Sequence, residues 1–144
     1  MPPKETFHLI GSYTLGMERV DLFVDPELNG AYYSPCPMEG RTWIRVGYNY
    51  SNLGTWETVI ASIFHEAFEL AASRMRLKWS DVMRESHSAA NYLFVMTHEQ
   101  FEEVMACTAS YFAQCENDLW KHFQQSHKKK PVKKPVKKAK GKKK

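Results

Sequence analysis

Residues Thr55–Trp79, TWETVIASIFHEAFELAASRMRLKW, decide how the rest of the chain is read. Trp56, Val59, Ile60, Ile63, Phe64, Ala67, Phe68 and Ala71 recur at helical spacing. With about 100° of turn per residue they form one broad apolar stripe, so the stretch predicts a helix that faces a core. Thr55 is placed to cap it, with Glu57 in the first turn where the helix dipole favours an acid. His65 and Glu69 lie on the opposite side, about 40° apart on the helical wheel, where they could grip one ion together. Two readings compete. A surface helix carries polar i, i+4 pairs on its wet face as a matter of course. Alternatively, that face looks into a cleft, which the small flanking residues Ala61, Ser62, Ala72 and Ser73 favour over the usual long charged side chains.

The segments before this helix read as strands. Residues 6–14 and 18–25 are two short ones, and in the second Val20, Leu22 and Val24 alternate with Arg19, Asp21 and Phe23. Ala31-Tyr32-Tyr33 is a weaker candidate, followed by Pro35 and Pro37, which disfavour a central strand. Residues 41–48 are rich in β-branched and aromatic side chains and form the strongest strand pattern. After Trp79 the chain loosens to a loop around Ser86, His87 and Ser88, with room for a helical turn over Asp81–Glu85. Tyr92–Met96 reads as a buried strand. Thr97 and Gln100 then form a capping box that opens a second long helix. Its apolar face carries Phe101, Val104, Met105, Thr108, Phe112, Cys115 and Leu119, and it fades near Phe123.

The pattern predicts an α+β fold: a small N-terminal antiparallel sheet packed on two long helices. Residues 1–125 form the domain and residues 126–144 a disordered lysine-rich tail. Charge divides the same way. Residues Lys128–Lys144 hold 11 lysines and no acid, while the preceding body has 9 basic residues against 16 acidic ones, a net of about −7. Lys128, Lys129, Lys130, Lys133, Lys134, Lys137 and Lys138 are thus candidates for non-specific contact with a polyanion such as nucleic acid. Solubilisation by a solvated tail, or folding back onto the acidic body, explains the lysines as well. Cys36, Cys107 and Cys115 are too few, and odd in number, for a disulfide framework, which suits a reducing compartment. The start, Met1-Pro2-Pro3-Lys4-Glu5, lacks the apolar run of a signal peptide, and no segment is apolar enough to span a membrane. A cytoplasmic, intracellular protein without a membrane partner is expected.

A helix pair such as His65/Glu69 needs a third ligand from elsewhere to make a metal site. His98, first in the second helix and about 70° from the centre of its apolar face, is the first candidate, followed by Glu102 one turn on and then His87. His65, Glu69 and His98 would give two imidazoles and one carboxylate, a catalytic zinc composition with a fourth position for water. The same donor set also suits Fe(II).

With strands first, then a helix carrying His65-Glu66-Ala67-Phe68-Glu69, then a second helix, the chain resembles the minimal zincin-type metallopeptidases of phage genomes. The layout matches over residues 6–123 and the motif over that pentad, with a glutamate where the family pattern has its second histidine. The resemblance implies that His65 and Glu69 are metal ligands and that Glu66 is the general base, catalysing hydrolysis of a peptide or protein. The alternative is a non-catalytic zincin-like binding protein whose basic tail engages a polyanion.

Overall fold

The computed structural model describes residues 7–34, 41–48, 55–80 and 92–128. It is an α+β fold of two layers: a four-stranded sheet and two helices. The strands are β1 (His8–Leu15), β2 (Glu18–Asp25), β3 (Ala31–Tyr33) and β4 (Thr42–Gly47), in the spatial order β1-β2-β4-β3. Helix α1 (Trp56–Arg74) follows, then a small hairpin of β5 (Lys78–Ser80) and β6 (Tyr92–Phe94), and last helix α2 (His98–Lys128).

The four-stranded sheet is mixed, not antiparallel as the sequence suggested. Successive strands alternate in direction, but β4 inserts between β2 and β3. It is therefore antiparallel to β3 and parallel to β2, with Leu22 opposite Ile44 and Val24 opposite Val46. The insertion is tight at one end, where Gly47 donates its N–H to the Gly30 carbonyl at 2.8 Å. A Cβ at Gly47 would stand 2.0 Å from the Leu28 carbonyl oxygen, so only glycine lets the β2–β3 turn cross there.

One face of the sheet builds the core. Val20, Leu22, Val24, Ile44 and Val46 are fully buried, as the period-2 pattern requires, against Val59, Ile63, Ala67 and Leu70 of α1 and Val104, Thr108, Tyr111, Cys115 and Leu119 of α2. The helices run antiparallel, with Trp56 against Trp120 at one end and Phe64 against Phe112 further along, at ring-centroid distances of 4.8 and 5.1 Å. Helix α2 covers the outer strand β1. Its Gln114 accepts from the Thr14 N–H at 3.0 Å and donates to the Thr14 carbonyl at 2.9 Å, closing backbone groups that an edge strand would leave open.

Local signals place the helix ends. The Thr58 N–H donates to Thr55 Oγ1 at 3.4 Å. In the capping box, Thr97 N–H donates to Gln100 Oε1 at 2.8 Å and Gln100 N–H to Thr97 Oγ1 at 3.3 Å. Helix α1 stops at Arg74, short of Trp79, because Leu77 N–H turns back to the Ala72 carbonyl and Arg76 N–H to the Ser73 carbonyl. This is a Schellman closure in which Arg76 takes the left-handed conformation, φ 58°. Helix α2 continues to Lys128, past the fade expected near Phe123 and into residues 126–128 that the sequence assigned to the tail. Phe123 is itself buried, against Tyr48 and Trp56. The turn expected over Asp81–Glu85, Cys36, His87 and the tail beyond Lys128 lie outside the described residues. Cys107 and Cys115 are free thiols, and burial pushes the Cys115 thiol up to about 12. No helix among the described residues is long and apolar enough to cross a membrane.

Arg74 ties α1 to the sheet, its Nε donating to Glu18 Oε2 at 2.7 Å and its Nη2 to Thr42 Oγ1 at 3.1 Å. Desolvation pushes the Glu18 carboxyl up, but hydrogen bonds from Arg74 and Thr42 outweigh it, and the group titrates below its ordinary range. A carboxyl whose folded value is depressed contributes stability above its unfolded value, and loses it as pH falls through the folded one. Arg74→Gln is therefore expected to cost stability at pH 7, by less than about 1 kcal/mol for so exposed a pair. The difference from wild type should begin to shrink as pH falls below about 4 and vanish only once it is below the depressed folded value. Urea denaturation at both pH values measures it, and a cost that persists unchanged in acid would assign the loss to packing instead.

Candidate metal and catalytic site on the first helix

The pentad lies in the middle of α1, where regular i, i+4 geometry aims His65 and Glu69 the same way. His65 Nε2 stands 3.1 Å from Glu69 Oε1 and 3.9 Å from Glu66 Oε1. The three side chains differ sharply in burial. That of His65 is 64% exposed, those of Glu66 and Glu69 only 10% and 12%. Glu69 is thus no member of a wet helix face: it belongs to a sunken acidic floor beside a solvent-facing imidazole. Taking carboxylates out of water is costly unless a positive or hydrogen-bonding partner meets them, and the His65 imidazole stands within reach of both. An imidazole nitrogen with carboxylate oxygens is a donor set that zinc or iron(II) accepts.

His98 is not brought to this group. It opens α2, its side chain 82% exposed, and its Nε2 pairs with Glu102 Oε1 at 3.0 Å. Phe68 of α1 meets Phe94 and Phe101 at ring-centroid distances of 5.6 and 6.1 Å. Among the described residues no three His, Cys, Asp or Glu side chains converge as a metal-ligating set. Two features escaped the sequence. Glu66 is buried, although the wheel sets it outside the apolar stripe. A second polar cluster gathers at the other end of the helices, where the Tyr48 hydroxyl and His122 Nδ1 are 3.2 Å apart and His8 lies 5.8 Å from His122. Burial pushes the Tyr48 hydroxyl above its ordinary range. Three residues so far apart in the chain carry no common periodicity, so nothing in the sequence linked them.

Comparison with protein-family models, with curated proteins and with solved structures found no match.

Proposed function

We propose that the chain is a metal-dependent hydrolase of zincin-like kind acting on peptide bonds, with its site at His65, Glu66 and Glu69. The observation that carries this reading is the pair of nearly buried carboxylates at 3.1 and 3.9 Å from an exposed imidazole nitrogen. The order of elements supports it too: a sheet, a helix bearing the pentad and a second helix packed alongside. His65 and Glu69 would hold the ion, zinc or iron(II), which supplies Lewis-acid chemistry when bound. Glu66, one residue from His65 and nearly buried, would take a proton from the attacking water and pass it to the leaving amine. The exposure of His65 leaves the substrate a way in. A third protein ligand would have to come from outside the pentad; His98, which the fold pairs with Glu102, and His87 are the side chains to test.

Metal analysis of the purified chain tests the site. Wild type loaded with Zn²⁺ or Fe²⁺ and then desalted should retain about one ion. His65→Ala should lose it, and His98→Ala and His87→Ala report which of them completes the site. A wild-type chain that retains no ion above the level of His65→Ala would remove the metal site, and with it the hydrolase. The non-catalytic binding-protein reading would then stand.

A further inference from the structure

The four-stranded sheet has a second face, away from the helices and from His65. Since Val20, Leu22, Val24, Ile44 and Val46 point into the core, the alternate residues Arg19, Asp21 and Phe23 of β2 and Trp43 and Arg45 of β4 stand on the far side. Strand register arranges them in rows. Leu9, Phe23, Arg45 and Tyr32 lie side by side across four strands, and Ser12, Asp21 and Trp43 form the next row. Tyr32 is 55% exposed and Leu9 nearly as much, and both described helices pack on the opposite face.

Rings and guanidinium groups interleave over this surface. The Arg45 guanidinium carbon sits 4.2 Å from the centre of the Phe7 ring and 5.1 Å from that of Trp43, and Phe7 meets Phe23 edge-on at 5.5 Å. Arg45 is thereby fixed between two rings, which holds them at set spacing. Beside them a recess of about 410 Å³ is lined by Leu9, Ser12, Arg19, Asp21, Arg41 and Thr42. Asp21 already accepts a hydrogen bond from Ser12. Arg19 and Arg41 form no ion pair among the described residues, so two guanidinium groups remain to meet an anion in a concave site.

Flat rings spaced along a strand row, with forked cations beside them, match one ligand chemistry well. Unpaired bases stack on aromatic side chains while the phosphates they hang from take arginine. A duplex hides its base faces, and an acidic peptide would satisfy the arginines but offer the rings nothing flat. The chain's densest charge begins at the same end of the sheet. Helix α2 ends at Lys128, after His122, 5.8 Å from His8 on β1, and His127, 6.2 Å from Tyr48 just past β4. Lys128, the first of the 11 lysines of Lys128–Lys144, thus lies on the helix side at the end of the sheet where β1 begins.

We infer that this open sheet face binds single-stranded nucleic acid, with bases stacked on Phe23, Tyr32 and Trp43 and a phosphate held by Arg19 and Arg41. Fluorescence anisotropy of a labelled oligothymidine of about 20 nucleotides, with the full-length chain over a salt series, tests it. Tyr32→Ala and Trp43→Ala should each weaken binding roughly 5- to 100-fold with little change in salt dependence. Combining Arg19→Gln with Arg41→Gln should weaken binding and flatten the log–log salt slope by about one unit. Changing Lys133, Lys134, Lys137 and Lys138 to Gln should flatten the slope further while the Trp43→Ala effect persists. Tyr32 is exposed on a three-residue edge strand, so Tyr32→Ala tests stacking without threatening the core. Wild-type affinity in both ring variants, or equally tight binding of a duplex or of polyglutamate, would overturn the assignment and leave the lysines as a non-specific polyelectrolyte.

Discussion

Glu66→Gln should lower peptide hydrolysis by about 10²- to 10⁴-fold, the range a positioned general base contributes, while metal content and folding stay as in wild type. The substitution keeps the shape of a side chain that is 10% exposed and changes only its ability to take a proton. Glutamine can still accept a hydrogen bond where glutamate did, which limits the structural cost. Turnover of a quenched-fluorescent peptide library, alongside metal analysis of the same preparation, measures both effects. Full activity in Glu66→Gln would eliminate the proposed base. Loss of the metal together with activity would instead make Glu66 a ligand, a role its oxygen could take from 3.9 Å from His65 Nε2. A wild-type chain that binds metal but cleaves nothing in the library would favour the non-catalytic scaffold.

Tyr111→Ala should destabilise the fold by about 3–5 kcal/mol, the cost of emptying a large aromatic site in a packed core. Among the described residues Tyr111 is the largest fully buried side chain, and its ring meets Tyr13 edge-on at 6.1 Å where α2 crosses β1. Its hydroxyl oxygen is buried without a hydrogen-bond partner among the described residues, and desolvation by the surrounding core pushes its titration far above the ordinary tyrosine range. Tyr111→Phe should therefore be neutral or stabilising, by up to about 1–3 kcal/mol, because it removes a polar group that lost its water and gained nothing. Denaturant unfolding of the two variants separates the ring from the hydroxyl. A fall in stability of more than about 1 kcal/mol in Tyr111→Phe would show that the hydroxyl is bonded in solution.

What the sequence determined by itself is whatever follows from the repeat of the backbone over a few residues. Alternation placed Val20, Leu22 and Val24 on one side of a strand, and helical spacing set Val59, Ile63 and Ala67 on one stripe and His65 beside Glu69. Thr55 and the Thr97/Gln100 box marked helix starts, because a cap bonds to backbone three residues away. These geometries are local and need no knowledge of the rest of the chain.

The tertiary structure decided what depends on which element lies next to which. Whether Glu69 is wet or sunken is set by the surroundings of α1, not by its place on the wheel, and the wheel left it on the exposed side. His98 shared a helix edge with Glu102 in the sequence, and the fold left it paired there and not with His65. Tyr111 went unnoticed among the apolar residues of α2 because its role is set by the strand it crosses. The parallel pairing of β2 with β4 joins segments about 20 residues apart through an intervening strand, a choice made by long-range packing and loop closure. The row Leu9–Phe23–Arg45–Tyr32 exists only through that pairing, since its four members come from four different strands.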